Sequence, residues 1–356
     1  MNPWTASAVL AVFGLIFGSF LNAVIHRLPR GIGLSHPRRS FCPHCGHSLA
    51  WHENIPLLSW LWLRGRCSAC PAKISLRYPL VEAMTAALFL WLWWSFPPAV
   101  AVAYMALAAL LVAGTFIDLE HMILPDTLTL GGAVLGVLCS VVVPGLQGCA
   151  DWEESLRSSL FGAGVGFATL FAVVELGKIA FGRKRFALDP HEDFAVAAAD
   201  GKAQLKIGEE VWELDDFFYR PTDALEVHLA DGTTWRLGRA GVERDGRTTA
   251  YAEADGWRGV AQAVVVPREA MGFGDVKLML TLGAFLGWPG ALFSIGAGSI
   301  IGAACGVVLM ALRRLGEAGR LPFGPYLAAG AMLWIAAGPA ILKWYLHRCF
   351  FSATSG

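Results

Sequence analysis

Long apolar runs alternate with polar segments over most of the chain. A membrane-spanning helix needs about 20 mostly apolar residues, and eight runs come close to that length or exceed it. They cover residues 4–26, 79–96, 98–117, 122–145, 157–181, 276–292, 293–312 and 322–346. The sixth and seventh runs are separated only by Trp288-Pro289-Gly290, which is a turn signal. The pattern predicts about eight transmembrane helices.

Two hydrophilic segments interrupt these runs. Residues 27–78 hold four cysteines, and residues 183–266 hold Asp-Gly pairs at 200–201, 231–232, 245–246 and 255–256. Alternating residues around Asp231-Gly232 are typical of a β-hairpin. The sequence predicts an all-α polytopic membrane protein with a small β-rich insert. Its five parts are a first helix (1–26), the cysteine segment (27–78), helices two to five (79–182), the insert (183–266) and helices six to eight (267–356).

The composition agrees with a membrane protein, since 55% of residues are hydrophobic and 16% are charged. Soluble domains carry about 25% charged residues. No basic residue precedes the first run, so we interpret it as a retained helix and not a cleaved signal peptide. The formal net charge is zero, and we expect the chain to contact the lipid bilayer and no nucleic acid.

Basic residues indicate the orientation of the helices, because cytoplasmic loops carry an excess of Lys and Arg. Segment 27–78 holds eight of them, and others follow the fifth and seventh runs, whereas residues 147–155 and 288–290 hold none. The cysteine segment and the insert are therefore expected to face the cytoplasm. Residues 186–266 contain sixteen acids and eight bases. This excess fits either a solvated insert or an acidic docking surface for a basic partner.

The four cysteines form two Cys-x-x-Cys turns, Cys42 with Cys45 and Cys67 with Cys70. Each turn directs two thiolates to one centre, and two turns supply the four ligands of a tetrahedral zinc ion. The spacing is close to that of zinc ribbons, and disulfides are rare in the cytoplasm. We predict a closed, structural Zn²⁺ site. A redox-active or disulfide pair, or no ligand, are the alternatives.

Two aspartates lie at the ends of apolar runs. Asp118 closes the third run, and Asp275 opens the sixth within Gly272-Phe273-Gly274-Asp275-Val276. A carboxylate near the bilayer centre costs about 2.5–3.5 kcal/mol on insertion scales, so such residues are usually functional. The predicted orientation places both on the cytoplasmic side. Two carboxyls that share one proton can hydrolyse a peptide bond, so the pair predicts an aspartyl protease at a membrane surface.

Several neighbouring residues are candidates for supporting roles. Gly272 and Gly274 allow either a close approach to a substrate strand or a sharp helix start. The other candidates are Asp126, Lys277, Glu82 and Glu269. The helix dipoles favour an ionised Asp275 and a neutral Asp118. The structural alternative is that Asp275 is a helix cap and Asp118 a loop residue.

Six segments of the chain resemble the type IV prepilin peptidase family. They are Gly18–Pro29, the cysteine loop, Ile74–Glu82, Ile117–Asp126, Glu269–Leu278 and Leu321–Tyr326. The resemblance implies an inner-membrane aspartyl protease of bacteria with Asp118 and Asp275 as its catalytic pair. Such an enzyme cuts the basic leader from prepilins and type II secretion pseudopilins on the cytoplasmic side. Members with the cysteine loop usually then methylate the new N-terminus with S-adenosylmethionine.

The insert departs from the family pattern, because it is far longer than the usual linker. The residues that bind the methyl donor are not indicated by the sequence, and only the resemblance suggests the first cytoplasmic loop. A peptidase without methyltransferase activity is one alternative. A non-enzymatic membrane scaffold or transporter is another, although a transporter would favour charges near the midplane. The sequence indicates no oligomeric state.

Overall fold

The computed structural model describes residues 3–35, 40–181, 183–199, 202–208, 210–218, 223–267, 271–312 and 321–348. The candidate Glu269 and the Asp-Gly pair at 200–201 lie outside these ranges. The chain divides into two compact units, of which one contains Met1–Phe171 and Gly272–Gly356 and the other Ala172–Met271. The first unit is helical and the second is built mainly from a β-sheet.

Apolar residues build the helices of the first unit. The helices are α1 (Pro3–Arg27), α2 (Leu58–Trp62), α3 (Arg77–Ser95), α4 (Pro98–His121), α5 (Asp126–Val142), α6 (Trp152–Phe181), α7 (Phe273–Ala311) and α8 (Gly324–Leu346). Among the described residues, five segments are long and apolar enough to cross a membrane: Trp4–Arg30, Pro98–His121, Trp152–Gly177, Phe273–Ala311 and Gly324–Tyr345. The structure thus supports a largely helical membrane protein, and the number of crossings stays a prediction.

Helix α7 covers both the sixth and the seventh apolar runs. Gly287 has φ 68° and ψ 177°, so the helix is kinked there, one residue before the predicted turn. Pro289 follows inside the helix and lacks the N–H that a regular turn would use. The sixth and seventh runs are therefore two helices that meet across a kink at Gly287, beside the predicted turn, and α7 denotes both.

Small residues allow close packing between the helices. A Cβ atom on Gly18 of α1 would lie 2.6 Å from the Cα atom of Glu82 in α3. Helix α5 packs on α7, where the Thr281 hydroxyl donates to the Thr129 carbonyl over 2.6 Å. Such contacts are typical of membrane helices, which associate through small residues and interhelical hydrogen bonds.

The second unit confirms the β-rich insert. Its strands are β1 (Arg183–Ala199), β2 (Lys202–Ile207), β3 (Glu210–Glu213), β4 (Ala224–Leu229), β5 (Thr234–Gly238), β6 (Gly241–Arg244), β7 (Arg247–Thr249) and β8 (Arg258–Pro267). They form one antiparallel sheet in the order β3-β2-β1-β8-β4-β5-β6-β7. Asp231-Gly232 joins β4 to β5 as predicted, with Leu225 opposite Leu237. Phe194, Val227 and Trp235 belong to its separate hydrophobic core.

Candidate active site

Asp118 lies in the last turn of α4. The helix ends because Met122 adopts a left-handed conformation with φ 55°, and its N–H donates to the Asp118 carbonyl over 2.9 Å. The Asp118 side chain is turned inward, and the residue is only 6% exposed. Its Oδ2 accepts a hydrogen bond of 3.0 Å from the N–H of Gly324, the first residue of α8. The carboxylate is thus held between two helix ends.

Asp275 lies in the first turn of α7, three residues after the Gly272 cap. It is also 6% exposed. Its Oδ1 is buried and has no hydrogen-bond partner in the part of the chain that the structure describes. Asp118 interacts with it electrostatically, so the structure brings together two buried carboxyls that are 157 positions apart in sequence.

Leu124, in the loop between α4 and α5, lies between the start of α7 at Gly274 and the start of α8 at Gly324. A Cβ atom on Gly274 would lie 2.9 Å from the Cβ of Leu124. A Cβ on Gly324 would lie 2.7 Å from Oδ2 of Asp118 and 3.3 Å from Cδ1 of Leu124. Among the described residues, a Cβ on Gly272 would come within 4 Å only of Oδ2 of Asp275, at 3.6 Å. Gly274 and Gly324 are therefore required by packing, whereas Gly272 leaves space beside a carboxyl.

The supporting candidates fall into two groups. Asp126 begins α5 as predicted, and its Oδ1 forms an ion pair of 2.6 Å with Nζ of Lys277. The Lys277 ammonium also lies 5.4 Å from the centre of the Phe273 ring. Glu82 lies elsewhere, because its Oε2 accepts a hydrogen bond of 2.8 Å from the Leu57 N–H at the cysteine segment. Sequence reasoning missed Gly324, although it lies in the closing segment that carried the family resemblance.

The hydrogen bonds do not support the assignment from helix dipoles. The Gly324 N–H stabilises a charged Asp118, because a donor to a carboxylate favours its ionised form. The buried Oδ1 of Asp275 receives no such bond from the described residues. These contacts point the opposite way to the helix dipoles, and which of the two aspartates is ionised stays a prediction.

The cysteine segment forms two short hairpins that bring the four thiols together. Single β-bridges pair Phe41 with Ser48 and Arg66 with Lys73, one around each Cys-x-x-Cys turn. All four sulfur atoms, those of Cys42, Cys45, Cys67 and Cys70, lie within 4.8 Å of one another. A tetrahedral zinc site with Zn–S bonds of about 2.3 Å has sulfurs about 3.8 Å apart. The Cys42 and Cys70 sulfurs are 3.9 Å apart, so the thiols fit a zinc ion.

Glu53 stabilises this segment between the two turns. Its Oε2 accepts hydrogen bonds from the Ala50 N–H over 2.7 Å and lies 3.1 Å from Nε2 of His47. A hydrogen bond from Ser68, in the second turn, together with those from Ala50 and His47, lowers the pKa of Glu53 to about 2. The ionised carboxylate therefore connects the residues around both pairs of cysteines.

Two family models match the chain. Residues 12–96 match the Bacterial Peptidase A24 N-terminal domain. Residues 105–188 and 257–307 match the Type IV leader peptidase family. The matched segments contain all the predicted catalytic, supporting and metal-binding residues, Glu269 included. The interruption between residues 188 and 257 falls inside the β-rich insert.

Curated proteins with the name prepilin leader peptidase/N-methyltransferase are similar along the chain. The one from Aeromonas hydrophila is 31% identical over an alignment of 372 residues with gaps, and the alignment covers 97% of this chain and 95% of the relative. The one from Pseudomonas aeruginosa is 30% identical over 363 residues, with coverages of 96% and 93%. The one from Myxococcus xanthus is 42% identical over 192 residues, 53% of each chain. No solved structure matches the chain.

Proposed function

The chain belongs to the type IV leader peptidase family, and we propose that it cleaves the leader of prepilins and type II secretion pseudopilins and then methylates the new N-terminus. The observation that carries the peptidase is the pair of buried carboxyls, Asp118 and Asp275, held at the ends of two membrane helices. The relatives with the name prepilin leader peptidase/N-methyltransferase support both activities.

The two aspartates have different roles in the proposed hydrolysis. Asp118, which accepts the Gly324 hydrogen bond, takes a proton from water as the water oxygen bonds to the scissile carbonyl carbon. Asp275 is the protonated partner, and its proton passes to the carbonyl oxygen. When the tetrahedral intermediate collapses, the C–N bond breaks, the leaving amine takes the proton held by Asp118, and one hydroxyl of the intermediate returns its proton to Asp275 as the carbonyl re-forms. Two close carboxyls suit this order of proton transfers, because the repulsion between like charges prevents both from being ionised at once.

The proposed enzyme lies in the bacterial cytoplasmic membrane, with the acid pair on the cytoplasmic side. The basic residues of segment 27–78 support this orientation. Eight crossings would require α3, α5 and each part of the kinked α7 to span the bilayer in addition to the other long helices. Cleavage would then occur at the face where a basic leader is exposed.

The cysteine segment has a structural role in this proposal. Cys42, Cys45, Cys67 and Cys70 would hold Zn²⁺ and keep the two hairpins together, and such a closed site leaves no open position for catalysis. S-adenosylmethionine, when bound, supplies an activated methyl group to the newly exposed amine. Prepilins and pseudopilins are the substrates, and the lipid bilayer is the surrounding solvent.

Cleavage of a purified prepilin by single variants tests the acid pair. Asp118→Asn and Asp275→Asn should each lower the rate at least about 100-fold, because general acid–base groups contribute about 100- to 10,000-fold. Glu153→Gln is the control, since Glu153 is an exposed residue in the first turn of α6. Normal cleavage by either aspartate variant, with the zinc content retained, would refute the dyad.

Methylation is measured separately on a mature pilin N-terminus with labelled S-adenosylmethionine. Transfer of the label establishes the second activity. Cleavage without any transfer would instead identify the chain as a peptidase alone. No cleavage by the wild type, with its zinc content retained, would favour the non-enzymatic alternative of a membrane scaffold.

A further inference from the structure

Helix α2, in the cysteine segment, carries its apolar side chains on the outside. Leu58, Leu61 and Trp62 are 62%, 63% and 86% exposed. Leu61 and Trp62 follow Leu58 by three and four residues, a spacing that places side chains on one face of a helix. The polar Ser59 is buried instead, and its hydroxyl donates to the Ile55 carbonyl. The polarity of α2 is therefore the inverse of that in a helix that covers a soluble core.

The other side of α2 is fixed to the rest of the cysteine segment. Trp60 is partly buried, and its Nε1 donates to the Ile74 carbonyl over 3.2 Å. Gly65 follows the helix with φ 65° and packs on the same ring, since a Cβ atom there would lie 2.9 Å from Cζ2 of Trp60. These contacts set the orientation of α2, so its apolar face stays directed away from the cysteine segment.

Glu82 determines the level of α2 along the neighbouring helices. Its Oε2 accepts a hydrogen bond of 2.8 Å from the N–H of Leu57, directly before α2. Glu82 lies five residues after the start of α3 at Arg77, which is about 7.5 Å along the helix axis. Gly18 faces Glu82 from α1 and lies nine residues before the end of that helix at Arg27, about 13.5 Å along its axis. Helix α2 thus begins beside α1 and α3, and not beyond their ends.

The surfaces of α1 and α3 at this level are apolar as well. Phe20 of α1 and Leu80 of α3 each lie two residues from the contact between Gly18 and Glu82, and both are half-buried. Helix α1 belongs to a segment that is long and apolar enough to cross a membrane. Side chains on the outer surface of such a helix face lipid. The apolar face of α2 is therefore level with a surface that the bilayer covers.

Basic residues follow the apolar face of α2. Arg64 and Arg66 are both exposed, directly after the helix. Basic side chains beside an apolar face attract the headgroups of anionic lipids. Trp62 fits the same location, because tryptophan is enriched at the boundary between headgroups and acyl chains. The charge and the apolar surface of α2 thus suit one partner, the surface of a lipid bilayer.

We propose that α2 is an interfacial helix, which inserts Leu58, Leu61 and Trp62 into the lipid leaflet on the side of the cysteine segment. Helices of this kind bury their apolar face about 5–10 Å into the boundary between headgroups and acyl chains. The cysteine segment is then attached to the lipid surface as well as to α1 and α3. The inference depends on neither of the two proposed activities.

Photo-crosslinking of the full chain in lipid vesicles tests this placement. p-Benzoylphenylalanine replaces Trp62 in one variant, Phe13 in a second and Asp245 in a third. The vesicles contain phosphatidylglycerol and phosphatidylethanolamine with tritiated acyl chains, and no pilin is present. Phe13 is the positive control, because it is exposed on the apolar α1. Asp245 is the negative control, because it is exposed beside Arg244 in a charged turn of the second unit. Zinc content reports on the fold of each variant.

We expect the probe at position 62 to capture at least about tenfold more lipid than the probe at position 245, because burying a large apolar side chain is worth a factor of ten or more. Its yield should approach that at position 13. A yield no higher than that at position 245 would overturn the proposal, since α2 would then face water. Capture of a second protein chain in place of lipid would also overturn it, because another copy would then cover this face. If the variant at position 62 loses its zinc, the same probe in place of Leu61 decides the result.

Discussion

Replacing Gly324 by alanine perturbs the acid pair without changing an acid. Gly324 is the first residue of α8, and its N–H donates to Oδ2 of Asp118 over 3.0 Å. The added methyl carbon would lie 2.7 Å from that same oxygen. An ordinary contact between carbon and oxygen is about 3.3 Å. Either the carboxylate or the start of α8 must therefore move by about 0.6 Å.

A displacement of this size is large for a catalytic group. Catalytic side chains need to be held within about 0.5 Å of their productive positions, and a misplacement of about 1 Å can cost about 100-fold in rate. We therefore expect Gly324→Ala to lower prepilin cleavage by about 10- to 100-fold. The substitution itself does not disfavour the helix, because alanine has a higher helix propensity than glycine by about 1 kcal/mol.

The assay is the initial rate of cleavage of a purified prepilin, with zinc content and melting temperature measured on the same samples. Gly296→Ala is the matched control, because a Cβ atom at Gly296 in α7 would meet no atom of the described residues within 4 Å. That variant should cleave at the wild-type rate. If Gly324→Ala were as active as Gly296→Ala, the contact between α8 and Asp118 would have no role in catalysis.

Three further substitutions or treatments give defined outcomes. Gly274→Ala should reduce cleavage more than Gly272→Ala, because only the former brings a Cβ atom within 2.9 Å of Leu124; equal rates of cleavage would contradict this packing argument. A strong zinc chelator should release one zinc per chain and lower the melting temperature of the wild type, and a metal-free wild type that melts unchanged would contradict the structural zinc site. Residues 172–271, expressed alone, should unfold cooperatively in a thermal melt followed by circular dichroism, because this unit has its own hydrophobic core; a gradual melt would contradict its independence.

Local sequence was sufficient to predict the features that depend only on neighbouring residues. The apolar runs predicted the long helices, the Asp-Gly pair at 231–232 predicted a hairpin, and Pro125-Asp126 predicted a helix start. The spacing of the four cysteines predicted that their sulfurs meet. Each of these features depends on residues that are close in sequence or on a short repeated pattern.

Other features depend on contacts between distant segments and were therefore not predicted. The N–H of Gly324 reaches Asp118 from 206 positions away, which no local pattern indicates. Glu82 was considered a helper of the acid pair because of its position in an apolar run, but packing of α1 on α3 directs it to Leu57. The break between the two parts of α7 was predicted to within one residue: it lies at Gly287, directly before Trp288-Pro289-Gly290, because glycine adopts a positive φ without strain.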